Sequence, residues 1–376
     1  MSLSLVGLGW VTPLGSTIEE VWRKLLAGAS AQAGTLGDSL GGKSYRAFQV
    51  PPDAIAEAAK YPRLRRSSAI SRFAVVAGLA ALRDAGIEPN EQTAARTALI
   101  FAISNGGVIY TKRFFHEIIK SGAQAASPLL FPETVFNAPA SHLAAILGIT
   151  GASYTLVGDG AVGILALKMA EDLMANPELD RCLVVGAEEA DWLLCDAYRK
   201  WRLLRAEPPL EPFARPAKGM ILSEGAGAVV LARAGDLQLQ RVHPGGNFAR
   251  QRELVRQLDR IGREIKNGEA PDFVIASANG TFIDDAEREV CASHFPGAAV
   301  YTPKPALGES VAAGGIWQTI CAAQALRRQE LPPLLHAPGE LGLTTARSPA
   351  PNKWRRAVVT TCGLNQQVAA LSLVAR

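Results

Sequence analysis

Apolar positions along this chain switch repeatedly between continuous short runs and a helical spacing of three to four residues. LSLVGLGWV predicts a buried strand ending in the turn TPLG, and STIEEVWRKLLAG follows with a Ser/Thr cap, early acids and late basic residues, the order a helix favours. RSSAISRFAVVAGLAALRDAGIEP predicts a long helix closed by Gly86 and Pro89. TALIFAISNGG then predicts a strand, FPETVFNAPASHLAAILGITG a loop and helix, and YTLV a strand. The segment after Gly160 predicts a helix, and RCLVVGAEEA and EGAGAVVLARA two more strands. Residues 31–62 and 196–220 are rich in Gly, Pro or Arg and predict surface excursions.

The second half opens on a poorly patterned stretch, 234–250, and continues with a charged helix, ELVRQLDRIGREIKNG. DFVIASANGT predicts a strand, DDAEREVCASHF a helix, AVYTP a short strand, GGIWQTICAAQALRRQ a helix, and RRAVVTTCGLNQQVAALSLVAR the closing strands. Strands and helices alternate in both halves, which predicts an α/β fold with predominantly parallel strands and helical layers. The two halves, 1–233 and 234–376, have broadly similar element order, compatible with a pseudo-duplicated fold.

Composition narrows the function classes. A chain of 376 residues, 48% apolar and 20% charged, can bury more than one core. No apolar run reaches the roughly 18 residues that span a bilayer, and MSLSLVGLGW has no basic segment ahead of its apolar stretch, so a cytoplasmic protein without a membrane span is expected. The net charge of +4 does not suggest a nucleic-acid partner, but leaves room for an acidic one at a local basic patch. Cys182, Cys195, Cys291, Cys321 and Cys362 form no CxxC pair, and the five histidines have no ligand spacing, so neither a zinc site, a disulfide framework nor another metal site is expected.

YTLVGDGAVG, residues 154–163, turns from a strand into a buried helix. Such corners mount nucleophiles, because the helix N-terminus stabilises negative charge, yet this one offers Gly158, Asp159 and Gly160 and neither Ser nor Cys. Asp159 fits better as a cap of the helix than as a nucleophile. GDGAVG also matches the dinucleotide fingerprint GxGxxG, with Glu188 as the acid for a ribose hydroxyl, which would make the chain an oxidoreductase. Its mid-chain position and the long spacing to the acid count against that reading.

VGLGWVTPLGSTIEEVWRKLLAG, RRSSAISRFAVVAGLAALRDAGI, FPETVFNAPASHLAAILGITGASYTL, VVGAEE and SEGAGAVVLARA, in this order, resemble the β-ketoacyl synthases of fatty acid and polyketide synthesis, over nearly the whole chain. The resemblance implies a thiolase fold: two similar α/β halves in five alternating layers, αβαβα, and no cofactor. It implies a Cys nucleophile, two histidines and an oxyanion hole. Matched residue by residue, Gly160 stands where the family carries the Cys, Asn279 in SANGT where it carries the first His, and Glu309 in KPALGESVAAGG where it carries the second. Lys304 is retained. Gln318 replaces an acidic residue, and CGLNQQ keeps Gly363 of the C-terminal loop but departs at Leu364, Asn365 and Gln366.

Losing one member of such a set can cost about a million-fold, roughly 8 kcal/mol of transition-state stabilisation. The expectation is a ketosynthase homologue without condensing activity that resembles chain-length factors, the partner subunits of active ketosynthases. A residual acyltransferase or malonyl decarboxylase is the alternative, but the decarboxylases resembled here keep the histidines. Glu309 is expected to pair with a basic side chain or face trapped water. About forty residues lie between LARA and DFVIAS, fewer than the family usually spends there, which implies a reduced pocket. Implied partners are an active ketosynthase homologue, or a second copy, and acyl carrier protein. Candidate docking residues for the carrier are Arg65, Arg66 and Arg72 beside the long helix, and Lys112, Arg113 and Lys120 on the next helical stretch.

Overall fold

The computed structural model describes residues 3–37, 42–266, 268–345 and 353–376. Two successive sets of elements follow the same order. The first holds β1 (Leu3–Val11), α1 (Ala69–Asp84), β2 (Thr97–Ile103), α2 (Ala138–Leu147), β3 (Ser153–Val157), α3 (Val162–Leu173), β4 (Arg181–Glu188) and β5 (Gly225–Ala232). The second holds β6 (Leu237–Val242), α4 (Leu254–Lys266), β7 (Phe273–Ile275), α5 (Ile283–His294), β8 (Ala299–Tyr301), α6 (Gly314–Arg328), β9 (Arg356–Cys362) and β10 (Gln367–Ala375). The strand orders, β1-β5-β4-β2-β3 and β6-β10-β9-β7-β8, are the same permutation, and the two sheets join where β1 pairs with β6.

Strand parity builds the layers. On β2, Ala98, Ile100 and Ala102 face a core shared with α3 and α6, while Leu99, Phe101 and Ile103 face the core under α1 and α2. On β9, Ala357 and Val359 face the shared core, whereas Val358 and Cys362 face the core under α4 and α5. The order is therefore helices, sheet, central helices, sheet, helices. Every residue of α6 from Gly314 to Leu326 is buried, as a helix between two sheets requires. Close packing of α1 on β1 needs a missing side chain: a Cβ on Gly9 would stand 2.2 Å from the carbonyl oxygen of Ala77.

Four expectations need correction. The strands are mixed, because β1, β5, β6 and β10 pair antiparallel while β2–β4 and β7–β9 are parallel. The poorly patterned stretch contains β6, whose sequence LQLQRV alternates apolar and polar residues and buries Leu237, Leu239 and Val242. The excursion at 31–62, of which 38–41 lie outside the described residues, contains strands Ala33–Gly37 and Ser44–Phe48, paired with each other and, through the second, with Leu222–Ser223. In the stretch 196–220, helix Trp192–Lys200 runs in from the start, Leu203, Leu210 and Met220 pack in a satellite core, and Phe213 is buried in the core under α4 and α5. Met1, Ser2 and Asn267, at the ends of two expected elements, also lie outside the described residues.

Candidate functional site

The corner before α3 and the carboxyl ends of β7 and β9 meet at the centre of the molecule. Gly160 precedes α3, whose cap residue Ala161 makes no side-chain cap bond. A Cβ on Gly160 would stand 2.9 Å from the carbonyl oxygen of Cys362 and 3.1 Å from the Cα of Gly363. The end of β9 thus fills the ground a nucleophilic side chain would occupy. Asp159 lies over Gly363, where any side chain would overlap its carboxylate.

Asp159 does less capping than the sequence suggested. Its Oδ2 accepts the Asn365 N–H at 2.8 Å, while the bond from the Ala161 N–H to Oδ1 is long, 3.5 Å. Its own N–H donates to Oε1 of Gln367 at 3.1 Å. The residue fastens the C-terminal turn, 363–367, onto the corner. Burial raises its carboxyl above the usual range, with the backbone bonds opposing.

Asn279, Glu309 and Lys304 form one buried group. Asn279 Nδ2 donates to Glu309 Oε2 at 2.7 Å, and Lys304 Nζ donates to the same oxygen at 2.8 Å. The ammonium also donates to the Ser277 carbonyl at 2.9 Å and its hydroxyl at 3.2 Å. Asn279 Oδ1 accepts from the Thr281 hydroxyl at 2.6 Å. Glu309 is 3% and Lys304 4% exposed, so the two form a buried ion pair, with the buried carboxyls of Asp284 and Glu287 also within electrostatic reach of the ammonium. The Ser277 hydroxyl accepts the Cys362 N–H at 2.9 Å, which links this group to the strand end covering Gly160.

Cys362 is the cysteine whose backbone reaches the corner, and its sulfur points the other way. The thiol lies 3.3 Å from Glu287 Oε1 on the α5 side of the sheet, and burial holds its pKa well above the usual thiol range. All five cysteines are buried and free. Among the described residues no histidine bonds to Asn279, Glu309 or Lys304: His142 faces Glu133, His243 faces Glu264 and His294 faces Asp259. Gln318 donates to the carbonyls of Ala276 and Thr360, both at 2.9 Å, tying β9 to the end of β7. The arrangement thus presents a paired carboxylate and ammonium, but neither a thiolate nor an imidazole.

One buried acid, Asp284, escaped the sequence reading, and a second, Glu188, was read there only as a ribose ligand. Asp284, one turn beyond SANGT, accepts the N–H groups of Phe213, Asn279 and Gly280 at 2.6–2.9 Å, and burial pushes its carboxyl up to about 7. The Asp-Asp start of α5 was the available signal. Glu188 accepts the N–H groups of Ser104 and Asn105, both at 3.2 Å, while its Oε1 and Asn105 Nδ2 have no protein partner. Burial pushes its carboxyl up to about 8. A carboxyl raised on folding favours the protonated form, so its contribution to stability is intact at pH 4 and is lost as pH rises towards 8, at up to about 1.4 kcal/mol per pH unit. Glu188→Gln should therefore raise the melting temperature more at pH 8.5 than at pH 5 relative to the parent. A difference independent of pH would show that the carboxyl is not held neutral.

The dinucleotide reading fails on this geometry. The turn 363–367 covers the start of α3 where a pyrophosphate would lie, and Glu188 is 2% exposed and bonded inward. Among the described residues no cluster of three or more metal-ligating side chains occurs, and no helix is long and apolar enough to cross a membrane.

Of the six basic residues, Arg65, Arg66, Arg72 and Arg113 line one cleft of about 350 Å³. Lys112 lines a second cavity of about 690 Å³, with Nζ 4.1 Å from the ring centroid of Trp192. Lys120 is exposed in the last turn of helix Val108–Ser121, about 12 Å along the axis from Lys112.

A duplicated five-layer fold, with these sites at the strand ends before its central helices, defines a class that the sequence comparison identifies. The profile of the beta-ketoacyl synthase N-terminal domain matches residues 2–236, and the chain belongs to the β-ketoacyl synthase family. The 3-oxoacyl-[acyl-carrier-protein] synthase 2 of Vibrio cholerae is 27% identical over 237 residues, 60% of this chain and 56% of that protein, so the match spans little more than half of that relative. The tetracenomycin polyketide synthase ketoacyl synthase beta subunit of Streptomyces glaucescens is 27% identical over 390 aligned residues, 91% of this chain and 93% of that subunit. The solved ishigamide ketosynthase/chain length factor superposes with a TM-score of 0.85 at 20% identity, covering 100% of this chain and 99% of that one, and shows the shared thiolase-like fold.

Proposed function

We propose that this protein is a non-condensing, chain-length-factor-like subunit that pairs with an active ketosynthase and works on chains held by an acyl carrier protein. The observation that carries this reading is the closed group at the strand ends. Asn279, Glu309 and Lys304 satisfy one another, and the end of β9 fills the space beside Gly160. A carboxamide cannot relay protons near pH 7, and the carboxylate is committed to the ammonium. The similarity to a ketoacyl synthase beta subunit over nine-tenths of both chains supports the same reading.

The surface supports a partner subunit. Among the described residues β3 is an edge strand bonded on one side, to β2, and Tyr154 and Val157 on it are 46% and 53% exposed. The opposite edge, β8, is covered by the segment at Thr344 and Thr345. Helix Val108–Ser121 has no buried residue and presents Phe115 and Ile119, 55% and 82% exposed, with Phe131 and Phe136 nearby in the chain that packs on it. An open strand edge and exposed aromatic and aliphatic side chains are each unfavourable in water and suit a second subunit. Val157→Lys combined with Ile119→Glu should weaken association with an active ketosynthase, or with a second copy, by about a hundredfold without lowering the melting temperature. Sedimentation of the mixed chains checks this, and unchanged association would place the interface elsewhere.

A further inference from the structure

We propose that the outward face of α4, with the turn that leads into it, docks the protein on an anionic lipid surface. Residues 250–266 hold six basic and three acidic residues in a chain whose net charge is +4. The basic ones are Arg250, Arg252, Arg256, Arg260, Arg263 and Lys266. Helix periodicity sorts them by face. Leu254, Leu258, Ile261, Gly262 and Ile265 are buried, and at about 100° per residue Arg256 stands opposite the middle of that buried stripe, with Arg260 and Arg263 close beside it. Arg252, Arg256, Arg260 and Arg263 are all exposed. Along the axis Arg256 and Arg260 are about 6 Å apart, and Arg263 is about 4.5 Å farther on.

The carboxylates of the same stretch are engaged elsewhere. Glu253 accepts the N–H groups of Ala249 and Arg250 at 3.0 and 3.3 Å. Asp259 binds His294 of α5 at 2.7 Å and Arg263 at 2.5 Å, and Glu264 binds His243 at 2.9 Å. Arg252, Arg256 and Arg260 form no ion pair among the described residues; Arg260 instead donates to Oε1 of Gln257 at 3.1 Å. Arg241 donates to the Glu264 carbonyl at 2.6 Å and adds a further cation at the helix end. On the neighbouring α5, Asp285 is held by Arg215 and Arg288, which leaves exposed Glu289 as the opposing charge. Like charges aligned without partners repel one another, and an apposed anionic plane relieves that repulsion.

The shape of this face and its polar surface choose the occupant. Arginines along the ridge of an outer helix do not converge on one centre, so they suit charges spread over a surface better than one small anion. Among the described residues every large apolar side chain that is exposed lies between Phe115 and Trp201, and none is on this face. A protein partner would need an apolar centre to the contact, and a single-stranded nucleic acid would need aromatic platforms. α4 also lies flank to flank with α5: a Cβ on Gly262 would stand 3.0 Å from Val290 Cγ1 and 3.1 Å from His294 Cδ2. Two such helices, each about 10 Å across, are too wide for the major groove of duplex DNA, about 12 Å. An anionic bilayer asks only for a one-sided array of cations, and each arginine within reach strengthens adsorption about fivefold. The apolar side of α4 is packed into the protein's own core, so the helix rests on the headgroups without inserting. Adsorption through α4 uses no residue of β3 or of helix Val108–Ser121, so it stands apart from the subunit reading.

Flotation of the intact chain with vesicles of phosphatidylethanolamine containing about one-third phosphatidylglycerol, and with vesicles of phosphatidylcholine alone, tests this. The anionic vesicles should bind the chain at least about tenfold more tightly than the neutral ones, and the affinity should fall at least about tenfold between about 50 and 250 mM salt. Arg252→Gln, Arg256→Gln and Arg260→Gln combined should weaken binding to the anionic vesicles about a hundredfold. The melting temperature should stay that of the parent, because all three positions are exposed and glutamine favours a helix about as well as arginine. The same loss of charge at exposed positions of the first half, Arg23→Gln, Lys60→Gln and Arg202→Gln combined, should change the binding less than about threefold. Equal binding to neutral and anionic vesicles, no binding to either, an unweakened α4 variant, or equal losses in the two triple variants would overturn the assignment. So would tighter binding to polyglutamate or to a DNA duplex than to the anionic vesicles, which would give the face to an acidic chain or a nucleic acid.

Discussion

Gly160→Cys should yield a protein that takes up no acyl group and is less stable than the parent. The new side chain would begin 2.9 Å from the Cys362 carbonyl oxygen and 3.1 Å from the Gly363 Cα, both backbone atoms that cannot rotate away. Overpacking of this kind costs about 1–3 kcal/mol. The start of α3 would favour a thiolate, but the neighbouring Asp159 carboxyl, bonded to the Asn365 N–H, opposes a second negative charge there. Asn279 and Glu309 cannot supply the imidazoles that condensation requires. Mass spectrometry after incubation with an acyl thioester, together with thermal melting, reads both effects. Robust acylation followed by carbon–carbon bond formation in this single variant would show that Asn279 and Glu309 do not occupy the histidine positions.

The second large effect belongs to stability. Glu309→Ala should destabilise the fold by about 3–5 kcal/mol, because it leaves the Lys304 ammonium buried with two oxygens of Ser277 and without its hydrogen-bonded carboxylate. Replacing both partners, Lys304→Met with Glu309→Leu, should recover most of that loss, since neither charge is then stranded. Urea unfolding of the parent, the single and the double variant measures the difference. A single variant as stable as the parent would mean that solvent reaches the ammonium and that the group is not closed.

Much of the architecture was legible in the pattern of the chain. The switch from apolar runs to helical spacing places most elements, and the glycine corner before α3 stands out because its neighbours are strand and helix formers. β6 was missed: LQLQRV alternates apolar and polar residues, but its glutamines and arginine are polar enough to read as a loop when taken without the sheet. Mixed strand direction was not legible, because it depends on which strands become neighbours across the duplicated halves. At the site, the residue types of Gly160, Asn279 and Glu309 are visible in the sequence, while their packing is not. Asp159 binds the C-terminal turn more closely than its own helix, an attachment spanning 206 residues. Cys362 reaches the corner with its backbone and turns its sulfur away, because strand parity puts Val358 and Cys362 on the outer face of β9.

The pairing of Lys304 with Glu309 is what the proposed loss of condensing chemistry on this family scaffold would leave behind. An ammonium buried at that point needs a partner, and a carboxylate five residues on provides it. Asn279 donates a second hydrogen bond to the same carboxylate oxygen, and Gln318 holds the strand ends in place.

Incubation of the purified chain with radiolabelled acyl- and malonyl-carrier protein, alone and with an active ketosynthase, tests the central claim most directly. The chain alone should retain no covalent label and release no carbon dioxide from the malonyl group, and product should form only when the second subunit is present. Label bound to this chain, or malonyl turnover by the chain alone that is abolished by Asn279→Ala or Glu309→Ala, would contradict the claim.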